Sequence, residues 1–170
     1  MNHEEKPYEQ RMARRVGNGM TSFRSDDDIA AELEVGKFLE KKWGCKLHAF
    51  ALYSPIDFWA EKDGKVMRWV ELKTSQKMVE EHTHVFLNMR KWGALMGWVN
   101  GTEIPAIVVY SFDNALGTIF AHDIDARSEN VIIGGHRKVV KSMADIEPMI
   151  KIPIDKLTMF KDWIVAGPNE

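Results

Sequence analysis

The spacing of apolar residues changes period several times along the chain, and each change marks an element. Ile29, Val35, Gly36, Leu39 and Trp43 gather on one face at helical spacing, which predicts a helix over residues 27–43. Ser25 offers an N-cap, and Asp26, Asp27 and Asp28 place negative charge at the positive end of the helix dipole. Gly44 stops the helix. Residues 46–53 then read as a strand. Residues 56–60 form an apolar, aromatic run, Lys62-Asp63-Gly64-Lys65 a turn, and residues 66–72 a second β-rich run, so 55–75 is expected to be a hairpin. Val85, Phe86, Met89, Trp92, Gly93 and Met96 return to helical spacing, predicting a helix from His82-Thr83 to Asn100-Gly101. Residues 105–112 are the most continuous apolar run, as expected of a buried central strand; 113–117 turn the chain, and 118–124 return it.

The two ends of the chain lack this regularity. Residues 1–25 carry Arg11, Arg14, Arg15 and Arg24 among small polar residues, which predicts a flexible basic N-terminal arm. Beyond 125, residues 131–133 and 138–140 flank Gly134-Gly135 as a small basic hairpin with Arg137 and Lys138, and Pro148 and Pro153 interrupt the apolar pieces of residues 148–160. The expected organisation is an arm over 1–25, a core over 26–125 and a C-terminal β extension with a loose tail over 126–170. Internal repeats, a phosphate-cradling glycine loop and a nucleophile elbow are absent from the sequence.

Composition narrows the class. A chain of 170 residues, 45% hydrophobic and 28% charged, suits one compact domain. Its single cysteine, Cys45, excludes an intramolecular disulfide and a cysteine-based zinc cluster, and fits a reducing, cytoplasmic setting. No apolar stretch has the length of a membrane span, and no signal region begins the chain. With a formal charge of −2, binding to nucleic acid has to rely on local basic patches.

Candidate chemistry concentrates in the hairpin. Asp57 interrupts its first strand and Glu71 and Lys73 its second; strand alternation turns all three to one side. Two carboxylates and an ammonium meeting among apolar neighbours are costly without a resident cation. Asp57, Glu71 and the Leu72 carbonyl form an all-oxygen set suited to Mg²⁺ or Mn²⁺. A solvated surface pair between Glu71 and Lys73 is the alternative. Glu32, central on the apolar face of the first helix, needs a partner too, and the same metal is the natural one, with Glu34 as the fallback; a rotated helix, or a Glu32 that reaches solvent at the edge of the face, is the alternative. His82 and His84 lack a third ligand and are not counted as metal-binding.

Pro55-Ile56-Asp57 followed by Glu71-Leu72-Lys73 resembles the motif of the PD-(D/E)XK nuclease superfamily, with Ile56 between the proline and the aspartate. Over residues 27–124, the order and spacing of elements resemble the archaeal Holliday-junction-resolvase branch. The resemblance implies an α/β, restriction-endonuclease-like core in the order α-β-β-β-α-β-β, with a central mixed sheet flanked by helices. It implies a metal-dependent DNA endonuclease in which Asp57, Glu71, Leu72 and Glu32 serve the metal and Lys73 acts on the attacking water. Arg11, Arg14, Arg15, Ser75, Gln76, Lys77, Arg90, Lys91, Arg137 and Lys138 are the candidate DNA contacts. A junction resolvase, which requires a homodimer, and a non-catalytic nucleic-acid-binding module remain as alternatives.

Overall fold

A computed structural model describes residues 6–14, 25–134 and 146–163. Helix α2 (Asp26–Trp43) starts with a capping box: the Ser25 hydroxyl accepts from the Asp28 N–H while the Asp28 carboxylate accepts from the Ser25 N–H. It ends at Gly44, whose φ of 60° is the left-handed conformation that glycine adopts without penalty. Strands β1 (Lys46–Ala49), β2 (Phe58–Lys62) and β3 (Lys65–Thr74) come next as antiparallel neighbours. The first strand ends at Ala49, four residues earlier than the apolar run suggested.

Residues 84–88 correct the expected second helix. They form strand β4 (His84–Asn88), and helix α3 (Met89–Thr102) begins only after it. Val85 and Leu87 are buried, so the segment alternates along a strand. Phe86 and Met89 happen to fall at helical spacing across the junction, so a single helical period spans two different elements. Asn88 is the joint between them: its side chain accepts from the Arg90 N–H at 2.7 Å and caps α3.

Strand β5 (Ala106–Ser111) is buried at every position, as the apolar run predicts, and β6 (Leu116–Phe120) returns beside it. Strands β7 (Val131–Gly134), β8 (Glu147–Pro153) and β9 (Thr158–Met159) complete two sheets. The larger runs β1-β2-β3-β5-β6-β9, with β3 and β5 parallel and its other neighbours antiparallel; the smaller runs β4-β8-β7. The described C-terminal strands enter both sheets. β7 pairs with β8 in the antiparallel sense, β8 also pairs with β4, and β9 joins the main sheet. The expected partner strand at 138–140 lies outside the described residues, as do Arg15, Arg24, Arg137 and Lys138.

Alternation in the central strands sorts the core into two layers. Val70, Ile107 and Val109 pack with Val35 and Leu39 of α2. Trp69, Val108 and Tyr110 face Leu95 of α3 and Val85, Leu87, Ile150 and Ile152 of the small sheet. Ile29, counted on the apolar face from its spacing, is 39% exposed at the beginning of α2.

The described part of the N-terminal arm is ordered against this core. Residues Tyr8–Met12 form a short helix, α1, with Met12 buried. Tyr8 donates its hydroxyl to the Leu33 carbonyl, and Arg11 pairs with Glu40 at 2.7 Å. Gly36 makes the close approach possible, because a Cβ there would lie 2.4 Å from the Tyr8 hydroxyl oxygen and 2.8 Å from Met12 Cε. Gly36→Val is therefore expected to destabilise the protein by about 1–3 kcal/mol, the usual cost of overpacking, and to speed tryptic cleavage after Arg11. Unchanged melting and cleavage would show that α1 is not seated on Gly36.

Candidate functional site

The β2–β3 hairpin closes through Asp63 and Gly64, with φ of 52° and 75°, the paired left-handed turn that matches the twist of its strands. A bulge between Ala60 and Glu61 resets the register, and the ladder runs out at Phe58 opposite Val70. Strand β3 continues past that end, so the Leu72 N–H has no β2 backbone opposite it and donates instead to Asp57 Oδ2 at 3.0 Å. The Asp57 carbonyl in turn accepts from the Phe50 N–H at 2.9 Å. Two backbone contacts thus fix Asp57 where β2 gives out.

Glu71 and Lys73 share a side of β3 with Trp69, the side that faces α3. Glu71 is 0% exposed. Its Oε1 accepts from Lys73 Nζ at 2.6 Å and its Oε2 from Lys91 Nζ at 3.1 Å. Lys91, one turn into α3, also lies 3.6 Å from Asp57 Oδ1 and donates to the Ser54 carbonyl at 3.3 Å. Arg14 approaches from the N-terminal segment, 2.8 Å from Asp57 Oδ1 and 3.7 Å from Glu32 Oε1. Burial raises the pKa of both carboxyls, and the two resolve in opposite senses. At Asp57 the cations of Lys91 and Arg14, with the Leu72 N–H, outweigh burial and hold the group below its usual range. At Glu71 burial prevails over Lys73 and Lys91, helped by the neighbouring Asp57 charge, and the group titrates above its usual range.

The structure brings Asp57, Glu71 and Lys73 together as strand alternation predicts. Glu32 is buried, as its helical phase predicts, but α2 covers the opposite face of the sheet. Glu32 reaches Asp57 around the sheet's end, through Arg14. The candidate DNA contacts divide. Gln76 and Lys77 are exposed, while Ser75 bonds His82 Nε2 at 3.1 Å. Arg90 is exposed, with Glu147 at 3.7 Å. Arg11 is turned into the fold on Glu40 at 2.7 Å. Arg14 and Lys91, expected on phosphate, lie on the carboxylates instead. Nothing local in the sequence signals this, since each contact joins segments far apart in the chain.

The donor set fits a hard divalent cation. Asp57 Oδ1 and Glu71 Oε2 are buried carboxylate oxygens held by side-chain cations, and Lys91 Nζ lies within 3.6 Å of both. Two carboxylates with a nearby backbone carbonyl are what Mg²⁺ commonly takes from a protein, the rest coming from water and substrate phosphate. Among the described residues, no three His, Cys, Asp or Glu side chains gather as a metal cluster; protein ligands would be Asp57 and Glu71, with the Leu72 carbonyl. No helix among the described residues is long and apolar enough to cross a membrane.

A family model described as "Phage putative PDDEXK endonuclease" matches residues 20–160. No curated protein matches. Solved structures similar to the chain include Hjc of Archaeoglobus fulgidus, a Holliday junction resolvase from an archaeal hyperthermophile; it is 14% identical, covers 69% of this chain and 78% of its own, and superposes with a TM-score of 0.42.

The raised pKa of Glu71 has a stability consequence. A carboxyl whose folded-state pKa exceeds its unfolded value contributes stability below the unfolded value and loses it as pH rises through the folded one. Glu71→Gln removes this titration. The variant's melting temperature relative to the parent is therefore expected to rise as pH increases above 4.5, the ordinary value for a glutamate. Melts across the acid-to-neutral range test this; a difference that is flat or falls with pH would contradict the assigned direction.

Proposed function

The chain belongs to the phage PDDEXK endonuclease family, and we propose that it is a metal-dependent DNA endonuclease whose site is Asp57, Glu71 and Lys73. The observation that carries the reading is the fully buried Glu71 carboxylate, 2.6 Å from Lys73 and sharing Lys91 with Asp57, on a strand that runs past the end of its neighbour. A buried carboxylate pair is expensive to maintain in a purely structural role. In a phosphodiesterase the same pair provides hard anionic ligands.

Mg²⁺ or Mn²⁺ held there would supply Lewis acidity toward the phosphoryl oxygen and lower the pKa of a coordinated water. The chain's own residues do the rest. Asp57, held below its usual range, stays ionised at neutral pH and needs no proton loss before binding a cation. Lys73 is about one-third exposed and has three ammonium donors, one of which goes to Glu71 Oε1. Its remaining N–H groups can orient the attacking water and offset the charge that grows on the phosphoryl oxygens as the P–O bond breaks. Glu32, joined to Asp57 through Arg14, would aid a second ion or orient water.

Three measurements test this reading. Cleavage of duplex, single-stranded, flap and four-way-junction DNA should require Mg²⁺ or Mn²⁺ and stop in excess chelator; undiminished cleavage there excludes the mechanism. Lys73→Ala should lower kcat by about 10²–10³-fold, the range for losing one transition-state charge contact. DNA affinity measured in Ca²⁺ should change by less than about tenfold, because Lys73 acts mainly on the transition state. A folded Lys73→Ala protein that cleaves like the parent removes Lys73 from the chemistry. Glu32→Ala should impair cleavage far more than Glu34→Ala, since Glu34 is on the exposed face of α2; the reverse order would exclude Glu32 from the site.

A further inference from the structure

The carboxylate oxygens of the site are already engaged, and two of them by side-chain cations that come from outside the hairpin. Asp57 Oδ2 takes the Leu72 N–H and Glu71 Oε1 takes Lys73. That leaves Asp57 Oδ1 and Glu71 Oε2 as the oxygens that would hold an ion, and these are the ones that face Arg14 and Lys91. We propose that Arg14 and Lys91 are exchangeable cations, holding the carboxylates in the DNA-free protein and moving to DNA phosphates when metal and DNA bind. The inference rests on the site proposed above and adds to it a coupling between its two ligands.

Two further observations support the exchange. Arg14 and Lys91 both line a cavity of about 410 Å³ that also reaches Asp57, with exposed Arg90 on its wall. A water occupies about 30 Å³ of liquid, so the cavity has room for a phosphate group and its hydration, within reach of both side chains. Arg14 is also incompletely satisfied where it lies: its Nε is buried without a hydrogen-bond partner among the described residues. A buried unpaired donor favours any alternative that pairs it, and a phosphate accepts a guanidinium through two parallel bonds.

Metal and the two side chains then compete for Asp57 Oδ1 and Glu71 Oε2, and DNA relieves the competition. The DNA-free protein binds metal weakly, and by reciprocity metal strengthens DNA binding by the same factor that DNA strengthens metal binding.

The test is Mn²⁺ titration of the DNA-free protein by calorimetry, with DNA affinity by fluorescence anisotropy in Ca²⁺ and in chelator. Arg14→Ala and Lys91→Ala should each bind Mn²⁺ about tenfold more tightly than the parent, a typical size for coupling between sites. Arg90→Ala, which removes a charge from the same cavity but touches neither carboxylate, should stay within about twofold. The gain in DNA affinity from chelator to Ca²⁺ should be smaller in Arg14→Ala and Lys91→Ala than in the parent. If Lys91→Ala does not fold, Lys91→Met keeps the apolar stem and takes its place. Parent-like Mn²⁺ affinity in both variants, with binding abolished by Asp57→Asn, would overturn the exchange and leave the metal site standing. Absence of Mn²⁺ binding in every protein, with or without DNA, would overturn both.

Discussion

A carboxylate with no exposed surface has to be held by cations, and Glu71 dictates much of what surrounds it. A lone buried carboxylate costs several kcal/mol or gives up its charge. Here two lysines from different elements reach it, Lys73 along the same strand and Lys91 from the first turns of α3. The solution is incomplete, because the group still titrates above its usual range. Asp57, a few ångströms away through the shared Lys91, is compensated to the opposite degree. One carboxyl firmly ionised beside one reluctant to ionise is an arrangement that a divalent cation completes more fully than monovalent side chains can.

The fold creates this place by a mismatch of strand lengths. β2 begins only at Phe58, opposite Val70, while β3 continues to Thr74, so the edge of β3 beyond Val70 is free of backbone from β2 and open to side chains. Asp57 fills the first vacated position with its carboxylate on the Leu72 N–H. α2 closes one face and α3 with the small sheet closes the other, while the N-terminal segment comes around the end. Side chains from both faces meet there: Lys91 approaches Asp57 from one layer, and Glu32 from the other through Arg14.

The parts of this site that depend on local order are readable in the sequence. The turn at Asp63-Gly64 and the alternation of the two flanking runs place Asp57, Glu71 and Lys73 on one side, and helical phase alone buries Glu32. Parity does not reveal which face a helix covers, so Glu32, expected to turn to the hairpin's metal, meets the site through Arg14, which it shares with Asp57. The strand at 84–88 is hidden because Val85 and Leu87 satisfy a period of two while Phe86 and Met89 satisfy the helical period. Arg14 is hidden for a different reason. Its segment reads as a polar tail, and only the close approach at Gly36, which seats Tyr8 and Met12 on α2, turns it into part of the core.

Residues well beyond the hairpin also govern the position of Lys91. It sits three residues after Asn88, the cap of α3, and Asn88 is the last residue of a strand paired to β8, with Met149 opposite and its side chain bonded to Glu147. The ladder between β4 and β8 thus fixes where α3 starts, and the start of α3 fixes the reach of Lys91 to Glu71 Oε2. Ile150 and Ile152, from the same strand β8, are buried in the layer that supports Glu71's side of the sheet. What the sequence presents as an appendage after residue 125 is part of the frame that holds the site's second lysine. Loosening that ladder would act first on the reach of Lys91, the group that spans the two carboxylates.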